Sequence, residues 1–64
     1  MVKINGEQVN AEGLTVSEYL AREKLAPERV AVMLGNEILP KSRYDSTVLS
    51  EGDELEVVGF VGGG

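Results

Sequence analysis

Only one stretch of this chain, from Thr15 to about Glu23, spaces its apolar residues as a helix does; on either side they alternate or run in short β-rich segments. Val16, Tyr19 and Leu20 share one helical face. Thr15 and Glu18 stand three residues apart, as in a capping box, and Leu14 with Tyr19 fits a hydrophobic staple. Pro27 cannot continue a helix and disfavours helical geometry at Ala26, so the helix is expected to end near Glu23 or Lys24. One helix among strands must bury its stripe against a sheet. The order hairpin, helix, strands predicts an α+β domain with the helix on one face of a mixed sheet.

The strand segments are short. Val2 and Ile4 alternate with Lys3 and Asn5, and Asn5-Gly6 is a favoured hairpin dipeptide leading into a return strand over Glu7 to Asn10. Arg29 to Leu34 is β-rich with apolar residues on both faces, which reads as a central strand. Gly35-Asn36 turns the chain into a short Ile38-Leu39 strand that Pro40 ends. Lys41 to Ser46 is polar and irregular, with a helical turn expected around Arg43 to Asp45, and Thr47 to Leu49 can pair briefly with a sheet. After a turn at Glu51-Gly52-Asp53, Glu54 to Phe60 reads as the last strand, with Leu55 and Val57 on one face and Glu56 and Val58 on the other. The first and last strands can lie side by side in the middle of the sheet. The domain expectation is residues 1–60 folded and residues 61–64 a flexible glycine tail.

Several kinds of chemistry are excluded by what is missing. With no cysteine and no histidine there is no disulfide, no thiol nucleophile and no imidazole acid–base pair, and a zinc site is not expected from carboxylates alone. Sulfur, if handled, cannot ride on a side-chain thiol. Six basic residues against eleven acidic ones leave no basic footprint for nucleic acid or an anionic membrane; a partner with a basic docking surface is favoured instead. The start, Met1 to Asn5, lacks a long apolar region and a cleavage site, and no apolar run approaches membrane-spanning length, so the expected location is the cytoplasm. The carboxylates Asp45, Asp53, Glu54 and Glu56 read as solvated turn and strand residues rather than a metal or hydrolytic site. Tyr19 is expected to be a half-buried anchor, and Lys3 and Arg43 surface charges.

Val61-Gly62-Gly63-Gly64 closes the sequence. Three glycines carry a high ordering cost and give a core nothing to pack. A slim peptide can instead enter a narrow channel that any Cβ would block, its ordering offset by main-chain hydrogen bonds in a partner. A carboxylate is a poor acyl donor until ATP converts it to an acyl-adenylate. The sequence has no Walker-type loop to bind ATP itself, so a separate activating protein is implied. Met33, Val58 and Phe60 fall by alternation on the sheet face away from the helix and form a candidate partner-docking patch, with Gly62 behind them leading into the tail.

Over its whole length the chain resembles the ThiS family of sulfur carriers, which are β-grasp, ubiquitin-like proteins with four or five strands. The resemblance rests on Asn5-Gly6, Thr15-Val16-Ser17-Glu18-Tyr19-Leu20, Val30-Ala31-Val32, Gly35-Asn36-Glu37-Ile38-Leu39-Pro40, Arg43-Tyr44, Glu51 to Val58 and Gly63-Gly64. It implies a carrier in thiamine (thiazole) biosynthesis rather than an enzyme, with no bound cofactor. An E1-like adenylating enzyme would consume ATP to activate Gly64, with Gly63 as its slim neighbour. A persulfide donor would supply sulfur for a thiocarboxylate, and thiazole synthase would receive it. Carriers for tRNA thiolation or molybdopterin synthesis, and ubiquitin-like modifiers that join Gly64 to a lysine, need the same fold and tail.

Overall fold

The computed structural model describes residues 1–59. Five strands and one helix run in the order β1 (Val2–Ile4), β2 (Glu7–Val9), α1 (Val16–Arg22), β3 (Val30–Leu34), β4 (Glu37–Leu39) and β5 (Glu54–Gly59). They form a single sheet of order β2-β1-β5-β3-β4. β1 and β5 are parallel neighbours, and the other pairs are antiparallel. This is the expected α+β, β-grasp topology, with all five strands present.

Burial divides each strand by alternation. Val2 and Ile4 of β1, Val30 and Val32 of β3 and Leu55 of β5 are buried in one cluster with Val16, Tyr19 and Leu20 of α1. The helix therefore covers one face only. β3 is an interior strand, as its two apolar faces suggest, but the middle position belongs to β5. Apolar residues on both faces report side-chain surroundings rather than rank across the sheet, and β5 meets solvent on its outer face through Glu54 and Glu56.

The helix begins where its chemistry dictates. The Thr15 hydroxyl accepts the Glu18 N–H at 3.0 Å, and the Glu18 carboxylate accepts the Thr15 N–H at 2.8 Å, completing the capping box. We expect Thr15→Ala to cost about 1 kcal/mol, which for a domain of this size lowers the melting temperature by roughly 4–8 °C. Circular-dichroism melts check this, and an unchanged melting temperature would contradict it.

The helix ends at Arg22, slightly before the expected Glu23 or Lys24. Lys24 takes a left-handed φ of 60°. Its N–H donates to Ala21 O at 3.0 Å, and the Leu25 N–H to Leu20 O at 2.8 Å. These are the two reverse bonds of a Schellman motif, a place usually held by glycine.

Other boundaries shift by a few residues. The strand expected from Arg29 starts at Val30, because Pro27–Arg29 forms a 3-10 turn. The helical turn expected around Arg43 to Asp45 lies over Lys41–Arg43, directly after Pro40, whose fixed φ of -65° suits a turn start. It carries Tyr44 into the core, 3% exposed, where the polarity of its neighbours gives no hint of burial. Thr47 to Leu49 pairs through a single bridge, Val48 with Thr15, just ahead of the helix.

Candidate functional site

Two regions bear on function: the sheet face opposite the helix, and the way β5 leads toward the C-terminal segment. Phe60, Gly62, Gly63 and Gly64 lie outside the described residues. Met33 and Val58 do not, and both fall on the helix-free face as expected. Val32 pairs with Val57 on the core side, which turns Met33 and Val58 outward.

Register fixes their neighbours. Val58 stands directly across from Ala31, and Met33 across from Glu56 on one side and Ile38 on the other. Met33 and Val58 are therefore diagonal neighbours, within reach of a long side chain. Together these residues make an apolar band across β4, β3 and β5. Val58 is 55% exposed and Ile38 75%, while Met33 is half-buried. Ile38 is the most open member and was not among the expected docking residues. The signal was available: Leu39 faces the core, so its neighbour Ile38 must face out.

The same face is acidic toward β1. Glu54 pairs across from Lys3, and Glu56 interrupts the apolar band opposite Met33. An apolar strip edged by carboxylates suits a partner surface of aliphatic pockets with basic residues around them.

The remaining carboxylates and tyrosines have local roles. Asp45 accepts the Ser17 hydroxyl, joining the first turn of α1 to the loop after Tyr44. Asp53 accepts the Ser50 N–H at 2.9 Å and closes the turn before β5. Among the described residues, no group of three or more acidic side chains is placed to hold a metal ion. Tyr19 is buried, at 8% exposed, rather than half-buried. Burial pushes its hydroxyl pKa up, and the Arg22 guanidinium lies 5.4 Å from its ring centre. Lys3 and Arg43 are exposed, as expected.

The turn that joins β1 to β2 also touches β5. Asn5 and Gly6 have φ of 52° and 86°, both positive, as a two-residue type I′ hairpin requires. The main-chain N–H of Asn5 donates to Leu55 O at 2.9 Å. Its side-chain Oδ1 accepts the Val57 N–H at 2.9 Å and its Nδ2 donates to Val57 O at 3.2 Å.

Comparison with known proteins places this arrangement. Residues 1–64 match the ThiS family. The chain is 36% identical to the sulfur carrier protein ThiS of Bacillus subtilis, with each chain covered in full. It is 42% identical to a thiazole synthase of Magnetococcus marinus, aligning over 98% of its own length but spanning only 20% of that protein. A crystal structure of a thiamine biosynthesis protein (ThiS) from Geobacter metallireducens superposes with a TM-score of 0.77 at 39% identity, covering 98% of this chain and 97% of that one. With the family matched from Met1 to Gly64 and the same topology in a solved relative, this chain belongs to the ThiS family.

Proposed function

We propose that this chain is a sulfur carrier for thiazole formation in thiamine biosynthesis, acting as a recycled protein cosubstrate rather than as an enzyme. The observation that carries the reading is the family match over residues 1–64, which takes in Gly63 and Gly64. The chemistry falls to a main-chain group. The Gly64 carboxylate attacks the α-phosphorus of ATP held by an E1-like enzyme, and pyrophosphate leaves. The terminal sulfur of a donor persulfide then attacks the carbonyl and displaces AMP. A thiol cleaves the resulting acyl disulfide and is left in a disulfide with the donor cysteine, and the freed thiocarboxylate passes its sulfur on at thiazole synthase.

The thiazole branch is favoured over tRNA thiolation and molybdopterin synthesis by the thiazole synthases that contain a segment like this chain. The experiment is ATP–pyrophosphate exchange with the cognate activating enzyme, followed by intact-mass measurement. One oxygen replaced by sulfur supports the reading. A branched peptide joining Gly64 to a lysine in its place supports a protein modifier and defeats it.

In this reading the apolar band with Met33, Val58 and Ile38 docks the activating enzyme. Ile38 and Val58 are exposed, so replacing both by serine should move the melting temperature little. Affinity for the activating enzyme should fall about tenfold or more, the loss of about 1.4 kcal/mol typical of apolar contacts at an interface centre. Equal affinities for wild type and Ile38→Ser/Val58→Ser by titration calorimetry would remove the docking role from this band.

A further inference from the structure

The parallel ladder between β1 and β5 is short. It pairs Lys3 with Glu54 and Ile4 with Leu55, and then β1 turns away at Asn5. β5 continues to Gly59 with β3 on one side, where Val30 pairs with Gly59. On the other side Val57 would lose the partner that a longer β1 would have offered. The Asn5 side chain takes that place: its amide oxygen and nitrogen meet both main-chain groups of Val57.

A type I′ turn does not itself require this. Asparagine, aspartate and glycine all tolerate positive φ at its first position. Among these, only asparagine offers one acceptor and one donor that can pair with a peptide N–H and C=O together. The turn residue thus doubles as a side-chain extension of β1, gripping β5 immediately ahead of the C-terminal segment.

We infer that Asn5 is a positioning residue for activation of the C-terminus: by clamping Val57 it fixes the direction in which the chain leaves Gly59. The inference rests on the carrier reading above. A firm exit lets one docked orientation of the body serve every turnover. A loose exit spreads the reactive end over orientations that dock equally well but react less often. Clamp loss therefore belongs to kcat rather than to KM, since the docking band on the outer face is untouched.

The test is Asn5→Gly, which keeps the positive-φ turn and removes the clamp. Amide hydrogen exchange should show protection lost at Val57 and retained at position 5, whose main-chain N–H still donates to Leu55 O. In ATP–pyrophosphate exchange, kcat should fall roughly tenfold, the scale set by two hydrogen bonds, with KM within about twofold. Asn5→Asp keeps the acceptor for the Val57 N–H but sets a second oxygen against the Val57 carbonyl. It should do no better than Asn5→Gly, which marks the donor half of the clamp.

Lost protection at Val57 with kcat unchanged overturns the positioning role and leaves the carrier reading standing. Retained protection at Val57 in Asn5→Gly overturns the clamp itself. A rise in KM at constant kcat assigns Asn5 to docking instead and also overturns it. If wild type gives no exchange with its activating enzyme, the carrier reading fails and the positioning role fails with it.

Discussion

A single residue added after Gly64 should silence activation. The extension replaces the attacking carboxylate by a peptide bond and moves the reactive end away from the nucleotide. ATP–pyrophosphate exchange should then fall to background and intact mass should show no thiocarboxylate, unless a protease trims the addition. Gly64→Ala is the graded version. Its methyl group sits beside the reacting carbonyl, and a displacement of about 1 Å in a close-fitting site costs roughly 100-fold in rate. Neither change touches the buried cluster, whose members lie between Val2 and Leu55, so both proteins should melt near wild type. An extended, untrimmed chain activated as fast as wild type would refute the proposed mechanism.

Leu20→Ala should do the opposite, leaving the tail intact and undermining the body. Leu20 is fully buried in the cluster that joins α1 to the sheet, where Val2, Val32 and Leu55 are also buried. Truncating a buried leucine to alanine costs about 2–5 kcal/mol, with the cavity adding to the lost transfer energy. A chain of 64 residues has a total stability of only about 3–10 kcal/mol. The melting temperature should therefore drop by about 10 °C or more, and part of the population should be unfolded at ordinary temperatures. Leu20→Met, close in volume, should cost less than about 1.5 kcal/mol. Thermal melts of the two variants separate the cases, and a shift below about 5 °C for Leu20→Ala would show that the helix contributes less to the core than its burial indicates.

The features legible in the sequence are those written in local chemistry. Thr15 and Glu18 announce the helix start because the bonds they make span only three residues. Asn5-Gly6 announces its hairpin because positive φ restricts residue type. The end of the helix was less legible: its left-handed residue is Lys24, where the usual signal is glycine. Tyr44, Ala11 and Leu49 enter the core from irregular segments in which no period marks the buried side. Met33 and Val58 followed from strand alternation alone, and the same rule held the position of Ile38. The Asn5–Val57 contact could not be read, since it depends on a register between strands about fifty residues apart.

That separation governs how the protein comes to be folded at all. β5 is the middle strand, and without it β1–β2 and β3–β4 are two hairpins with no ladder between them. Isolated hairpins are marginal in water. A nascent chain emerging at about 5–20 residues per second therefore stays unlocked until Glu54–Gly59 has cleared the ribosome and closed the loop back to β1. The apolar band is assembled in that same step, because Val58 belongs to the closing strand and Met33 and Ile38 to the hairpin it captures. A chain that lacks β5 thus lacks both the ladder that joins its two hairpins and the apolar band that runs across β4, β3 and β5.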